Sequence, residues 1–180
     1  MVLAVLMADK YPAQQWDPNI GIWSSMVSIG KKVTNFSVPA TGDRTLSLKD
    51  FSGHHLVLYF YPKDNTSGCT LEGRDFRDAY SKFVHAGANI LGVSRDSIKS
   101  HENFKCKEEF PFELASDMDE SMCKQFDVIR EKTLYGRKYL GIERSTFLID
   151  RKGVLRQEWR KVQVKGHADE VLQAVRLLPK

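Results

Sequence analysis

The sequence predicts an α/β fold, a mixed central sheet with helices on both faces, and three observations carry that expectation. Two continuous apolar runs, LVLYFY at 56–61 and ANILGVS at 88–94, have the length of strands buried on both faces. Each is followed by a stretch with helical spacing. Near the end, STFLID and VLRQEW flank Arg151-Lys152-Gly153, a turn that makes them an antiparallel hairpin ahead of one last amphipathic helix.

The elements follow in order. Residues 1–25 carry Pro12, Trp16, Pro18 and Trp23 but neither helical nor alternating periodicity, and are expected to be a loosely ordered extension. Met26 opens MVSIGKKVTNFSV, where a domain spanning 26–180 is expected to begin and where translation could also start. NFSVPAT and RTLSLKDF flank Thr41-Gly42-Asp43 as a hairpin. The run 56–61 is a buried strand. After Cys69, apolar residues at Phe76, Ala79, Tyr80 and Phe83 mark one helix face, and Gly87 ends the helix. ANILGVS is the next strand and SIKSHENFKCKEEF the next helix. PFELASD leads into a short helix carrying Met118, Met122 and Phe126, the hairpin follows, and HADEVLQAVRLL closes the chain. A thioredoxin-like sandwich fits this order best, and by itself it specifies no activity.

Composition narrows the function classes. With 180 residues and 42% hydrophobic content, the chain supports one sizeable core. Its net charge of +4 is dispersed along the sequence, which argues against a nucleic-acid surface. The apolar start MVLAVLMADK lacks the basic region and cleavage pattern of a signal peptide. Three widely spaced cysteines make neither a disulfide scaffold nor a zinc site, and point to a reducing cytoplasm.

One stretch carries chemistry: YFYPKDNTSGCTLEGRDFRD, residues 59–78. A strand-like run breaks at Pro62, and a turn places Cys69 in the first turn of the next helix. Unpaired backbone N–H groups and the positive end of the helix dipole there favour the anionic thiolate, the reactive form of cysteine. The position also lies beyond the carboxyl end of a central strand, where open α/β sheets build their sites. Thr66 supplies a hydroxyl that either caps the helix or bonds a ligand.

Pro-Lys-Asp-Asn-Thr-Ser-Gly-Cys resembles the Pro-x-x-x-Thr-x-x-Cys motif of the peroxiredoxins, and YFYPKD, FRD, GVSRDS and GIERSTFLID are similar to the bacterioferritin comigratory protein (PrxQ) branch. The resemblance runs from about Val27 onward. It implies that Cys69 is the peroxidatic cysteine, that Pro62 shields it, that Thr66 bonds the peroxide, and that Arg144 stabilises the thiolate and the reacting oxygens. Such fixed donors make physical sense, because charge moves along the S–O–O line during attack. Many relatives have proline where this chain has Ser67, so a less rigid loop is expected.

Attack leaves a sulfenic acid that a thiol must rescue. The branch often carries this resolving cysteine five residues on, where Arg74 stands here. Other members carry it on the helix after the second buried strand, one place before Cys106, at Lys105 in this chain. One residue is about 100° around a helix, so Cys106 is judged on its own position: it projects to solvent between Lys105 and Lys107. It is the expected resolver, with an external thiol or Cys123 as alternatives. Pairing with Cys69 would require local unwinding, because disulfides need closely placed Cα atoms. Cys123 shares a face with Met122 and Phe126 and reads as core. The histidines, His54 and His55 in a turn, His101 on the helix of Cys106, and His167 at the start of the last helix, are given solvated or capping roles.

The absence of a Cys-x-x-Cys pair argues against a thiol–disulfide oxidoreductase, and a peroxide sensor would share the first chemical step. The expected activity is a thiol peroxidase acting on hydrogen peroxide and small organic hydroperoxides. A thioredoxin-like dithiol protein would recycle it. No prosthetic group is implied, and the resemblance implies a monomer.

Overall fold

The structure is a computed structural model that describes residues 14–17, 22–25 and 27–179. Most of the expected N-terminal extension lies outside these residues. Within it, β1 (Gln14–Asp17) and β2 (Ile22–Ser25) pair antiparallel, Trp16 opposite Trp23.

A seven-stranded sheet organises the rest. Its order is β11 (Leu155–Trp159), β10 (Ser145–Ile149), β5 (His55–Phe60), β6 (Ala88–Ser94), β7 (Glu113–Ser116), β3 (Ser37–Ala40), β4 (Arg44–Ser47). Strands β5, β6 and β7 are parallel, while β10, β11, β3 and β4 make antiparallel pairings around them. The apolar run expected at 56–61 thus becomes the central strand β5, shifted by one residue.

Every residue of β5 is buried because both faces are covered. Leu56, Leu58 and Phe60 join one core layer with Phe36, Phe126 and Phe147. Val57, Tyr59 and Tyr61 join the other with Phe76, Phe83, Phe104 and Val171. Burial of each such side chain is worth about 1.5–3 kcal/mol before the entropy of ordering it is counted. Helices α1 (Ser67–His85), α2 (Ile98–Glu108) and α4 (His167–Leu177) cover the second layer, and the short α3 (Ser121–Gln125) covers the first. This is the mixed sheet with helices on both sides.

Gly87, at φ +77°, follows the C-terminal end of α1 as the sequence predicts. The hairpin β3–β4 also forms, but its second strand stops at Ser47. There the Ser47 amide and hydroxyl donate to Asp50 at 2.6 and 2.8 Å, starting a 3-10 turn over Leu48–Phe51. Met118 is exposed ahead of α3, not part of its apolar face.

A second hairpin, β8 (Ile129–Leu134) with β9 (Arg137–Ile142), has no counterpart in the sequence reading. Its turn residues Tyr135 and Gly136 both have positive φ, at 49° and 76°, the geometry that matches strand twist in two-residue hairpins. Its charged residues and exposed Tyr135, Tyr139 and Leu140 hide the strand pattern, because neither strand joins the central sheet. The expected solvated histidines are also corrected: His55, His101 and His167 are buried, His55 as the first residue of β5.

Candidate active site

Cys69 is the third residue of α1, immediately beyond the carboxyl end of β5. Thr66 occupies the N-cap position with extended backbone, so the free N–H groups of the first turn face the region of the thiol. The residue is only 2% exposed.

Arg144, which precedes β10, reaches this buried sulfur. Its Nη2 donates to Cys69 Sγ at 3.3 Å, and its Nη1 donates to the carboxylate of Glu72. One guanidinium thus spans two acidic groups on the same face of α1, three residues apart. Gly68 makes the approach possible: a Cβ there would lie 3.2 Å from Arg144 Nη2.

Glu72 is absent from the sequence-derived set, although a carboxylate at i+3 from the cysteine is a readable signal. Burial pushes its pKa up to about 7, against the opposing pull of Arg144. Its second oxygen, Oε1, is buried with no hydrogen-bond partner among the described residues. Tyr59 lies beneath the site, its phenol held well above its usual range by burial and then by Glu72 and Cys69. Lys132 of β8 is a further residue the sequence reading misses. It donates to the carbonyl of Ile142 at 2.5 Å, two residues before Arg144, and burial and then Arg144 lower its pKa.

The loop from Pro62 to Thr66 leads into α1. Pro62 is half-buried and follows the fully buried Tyr61. The Thr66 hydroxyl does not cap the helix; it donates to the carbonyl of Lys63 at 3.0 Å, within its own loop. Asn65 adopts left-handed backbone at φ 57°, which asparagine tolerates. Asp64 is buried between exposed Lys63 and Asn65 and accepts from the Tyr61 hydroxyl at 2.8 Å.

The other cysteines separate cleanly. Cys123 is fully buried in the core layer of Met122 and Phe126, and burial and then Asp117 push its thiol pKa upward. Cys106 is exposed on α2. The expectation that it faces solvent holds: His101, Phe104 and Glu108 make the buried face. Its neighbour Lys107 donates to Asn65 Oδ1 at 3.3 Å, so this turn of α2 adjoins the loop before Cys69. Lys105, one place earlier, is held by Glu113 at 2.6 Å. Arg74 pairs with the buried Glu108 at 2.7 Å, tying α1 to α2.

The site therefore brings together Cys69, Arg144, Glu72 and Lys132, with Pro62 and Thr66 in the loop that leads into α1. Among the described residues no group of three or more His, Cys, Asp or Glu side chains could hold a metal ion. The arrangement offers one nucleophilic sulfur, one guanidinium and a helix N-terminus, a set suited to attack on a polarisable bond with developing negative charge.

Comparison with known proteins agrees with this chemistry. The model of the AhpC/TSA family matches residues 29–158. Peroxiredoxin Bcp of Xanthomonas campestris pv. campestris is 55% identical over 143 residues, covering 78% of this chain and 89% of that protein. Peroxiredoxin Bcp of Bacillus subtilis is 46% identical over 150 residues, with coverage of 83% and 96%. A structure of the Xanthomonas campestris bacterioferritin comigratory protein, from work on its alkyl peroxide reduction activity, superposes with a TM-score of 0.75 at 54% identity, covering 78% of this chain and 89% of that one. The expected thioredoxin-like fold and peroxiredoxin resemblance are thereby established: this chain belongs to the AhpC/TSA family as a Bcp/PrxQ peroxiredoxin, a thiol-dependent peroxidase.

Proposed function

We propose that Cys69 is the peroxidatic cysteine, acting on hydrogen peroxide and small organic hydroperoxides, and that a thioredoxin-like dithiol protein returns it to the thiol. The observation that carries this reading is the 3.3 Å bond from Arg144 Nη2 to Cys69 Sγ at the first turn of α1. The alkyl peroxide activity of the Xanthomonas campestris relative supports the substrate class.

The Cys69 thiolate attacks the nearer peroxide oxygen. An S–O bond forms, the O–O bond breaks, and the departing oxygen takes a proton to leave as water or an alcohol. Sulfur is oxidised and peroxide is reduced. Arg144 stabilises the anion before attack and the charge shared along S–O–O during it. In this reading the Thr66 hydroxyl bonds the peroxide and Pro62 limits access of water to the sulfur.

The resulting sulfenic acid is resolved by Cys106. Its sulfur attacks the Cys69 sulfur, the S–S bond forms, and the sulfenic oxygen leaves as water. A dithiol reductant then exchanges with this disulfide, restoring both thiols and becoming a disulfide itself. The Lys107–Asn65 contact supports Cys106 over Cys123, whose burial and raised pKa both oppose attack. Residues 26–180 form the catalytic domain in this reading, with 1–25 as an appended segment. The setting is a reducing cytoplasm and the working form a monomer. No helix among the described residues is long and apolar enough to cross a membrane.

The test is peroxide consumption with a thioredoxin reducing system. Cys69→Ser is expected to abolish turnover, and Cys106→Ser to accumulate sulfenic acid on Cys69 after one equivalent of peroxide. Normal turnover by Cys106→Ser would make Cys106 a bystander and assign resolution to an external thiol or to Cys123.

A further inference from the structure

Between Pro62 and Ser67 the catalytic loop has a single buried residue, Asp64. Its side chain is 2% exposed, and that of His101, against which it packs, is 0% exposed. Lys63, Asn65 and Thr66 on either side are exposed, so the loop's path is set by this one anchor. Three side chains converge on its carboxylate. The Tyr61 hydroxyl lies at 2.8 Å, the Ser100 hydroxyl at 2.7 Å and His101 Nδ1 at 2.9 Å. The Asp64 amide in turn donates to Asp96 at 2.9 Å. His101 Nε2 faces the carbonyl of Ala115 at 3.2 Å. The ring of His101 thus bridges the loop carboxylate at Nδ1 and strand β7 at Nε2 within a buried contact.

Ser100 and His101 are the third and fourth residues of α2, the helix of Cys106. The same carboxylate therefore fixes both the loop that carries Pro62 and Thr66 and the first turn of α2. Removing the carboxylate leaves the buried His101 Nδ1 without its carboxylate partner, and removing His101 leaves the buried carboxylate with only Tyr61 and Ser100 as side-chain donors, a loss that native structures avoid. Thr66 is two residues from Asp64, so a displaced anchor moves the hydroxyl, and displacements near 1 Å can cost about 10²-fold in rate.

We propose that Asp64 and His101 are positioning residues that hold the peroxide loop and helix α2 as one unit. Displacing either partner then displaces both the loop and the first turn of α2. The proposal rests on Cys69 as the attacking thiol, but not on which thiol resolves it.

Asp64→Asn tests it, because the amide oxygen still accepts from Tyr61 or Ser100 while the charge is lost. In a Cys106→Ser background, the second-order rate of Cys69 oxidation by hydrogen peroxide should fall about tenfold or more. In the otherwise unaltered chain, amide exchange should quicken together in the loop 62–70 and the first turn of α2, with α4 unchanged. Val175→Ala, a core truncation in α4 chosen to lower stability, is the control and should slow Cys69 oxidation little. His101→Gln should reproduce the Asp64→Asn pattern, since one side-chain amide cannot replace both ring contacts. Tyr61→Phe, a milder loss at the same carboxylate, should show a weaker version and serves if the other two fail to fold. Unchanged oxidation in the folded variants, or faster exchange in the loop with α2 unaffected, overturns the proposal. Failure of the parent protein to oxidise at Cys69 would instead defeat the peroxidatic assignment.

Discussion

Arg144 is the residue on which the site turns, because it divides one charge between a sulfur and a carboxyl. Replacement by lysine keeps the charge but loses the planar fork that bonds both partners. Arg144→Lys should slow Cys69 oxidation about 10²-fold, the usual cost of losing a preorganised donor, as stopped-flow oxidation rates would show. Glu72 sets how much of that charge the sulfur receives. Burial raises its pKa to about 7, so the fold favours the protonated carboxyl. That stabilising contribution is full below about 4.5, the ordinary value for a glutamate, and fades as pH rises through 7. Above that pH the ionised carboxylate competes with the thiolate for Arg144. Glu72→Gln should therefore show a larger rate of peroxide attack relative to the parent at pH 8 than at pH 6. Cys69, Thr66 and Pro62 stand in one short motif and Arg144 in the distant GIERST, and it is the resemblance to the peroxiredoxins that marks them as a set. Glu72 is signalled only by its i+3 spacing from the cysteine, while Lys132 and Asp64 depend on burial and on partners distant in the chain, Arg144 and His101, which no local pattern encodes.

At the scale of elements, the junction of β5 with α1 places the thiol. Gly68 there is helical and needs no unusual backbone; it is small because Arg144 crosses it at 3.2 Å from where a Cβ would stand. Gly68→Ala should thus leave the thermal midpoint equal or higher, since alanine favours helix by up to about 1 kcal/mol. The same change should slow Cys69 oxidation several-fold by displacing the guanidinium. A lowered midpoint with an unaltered rate would contradict this account. The helices and buried strands were readable because their periodicities are strong. The β8–β9 hairpin was not, because Arg130, Lys132, Lys138 and exposed Tyr139 disguise it, yet it holds Lys132 beside the approach of Arg144.

The whole molecule adds a pH dependence of its own. His167 begins α4, is buried, and contacts the Thr146 hydroxyl at 2.8 Å. Burial lowers its pKa from 6.5 to about 4, so the fold favours the neutral ring. Its contribution to stability is present above about 6.5 and is lost as pH falls towards 4. His167→Gln should lose less stability than the parent between those values in denaturant titrations. A sequence reading assigns such a histidine to the surface because its position in a helix, without the sheet beneath, does not reveal burial. The sheet order explains the reverse success: two buried runs and a terminal hairpin leave few arrangements other than a mixed sheet with helices on both faces. The most direct test of the central claim is intact mass and peptide mapping after one equivalent of hydrogen peroxide, applied to protein carrying Cys106→Ser and Cys123→Ser. A peroxidatic Cys69 should gain the mass of one oxygen, located on that residue and lost on reduction. Unmodified Cys69, with peroxide consumed at the parent's rate, would contradict it.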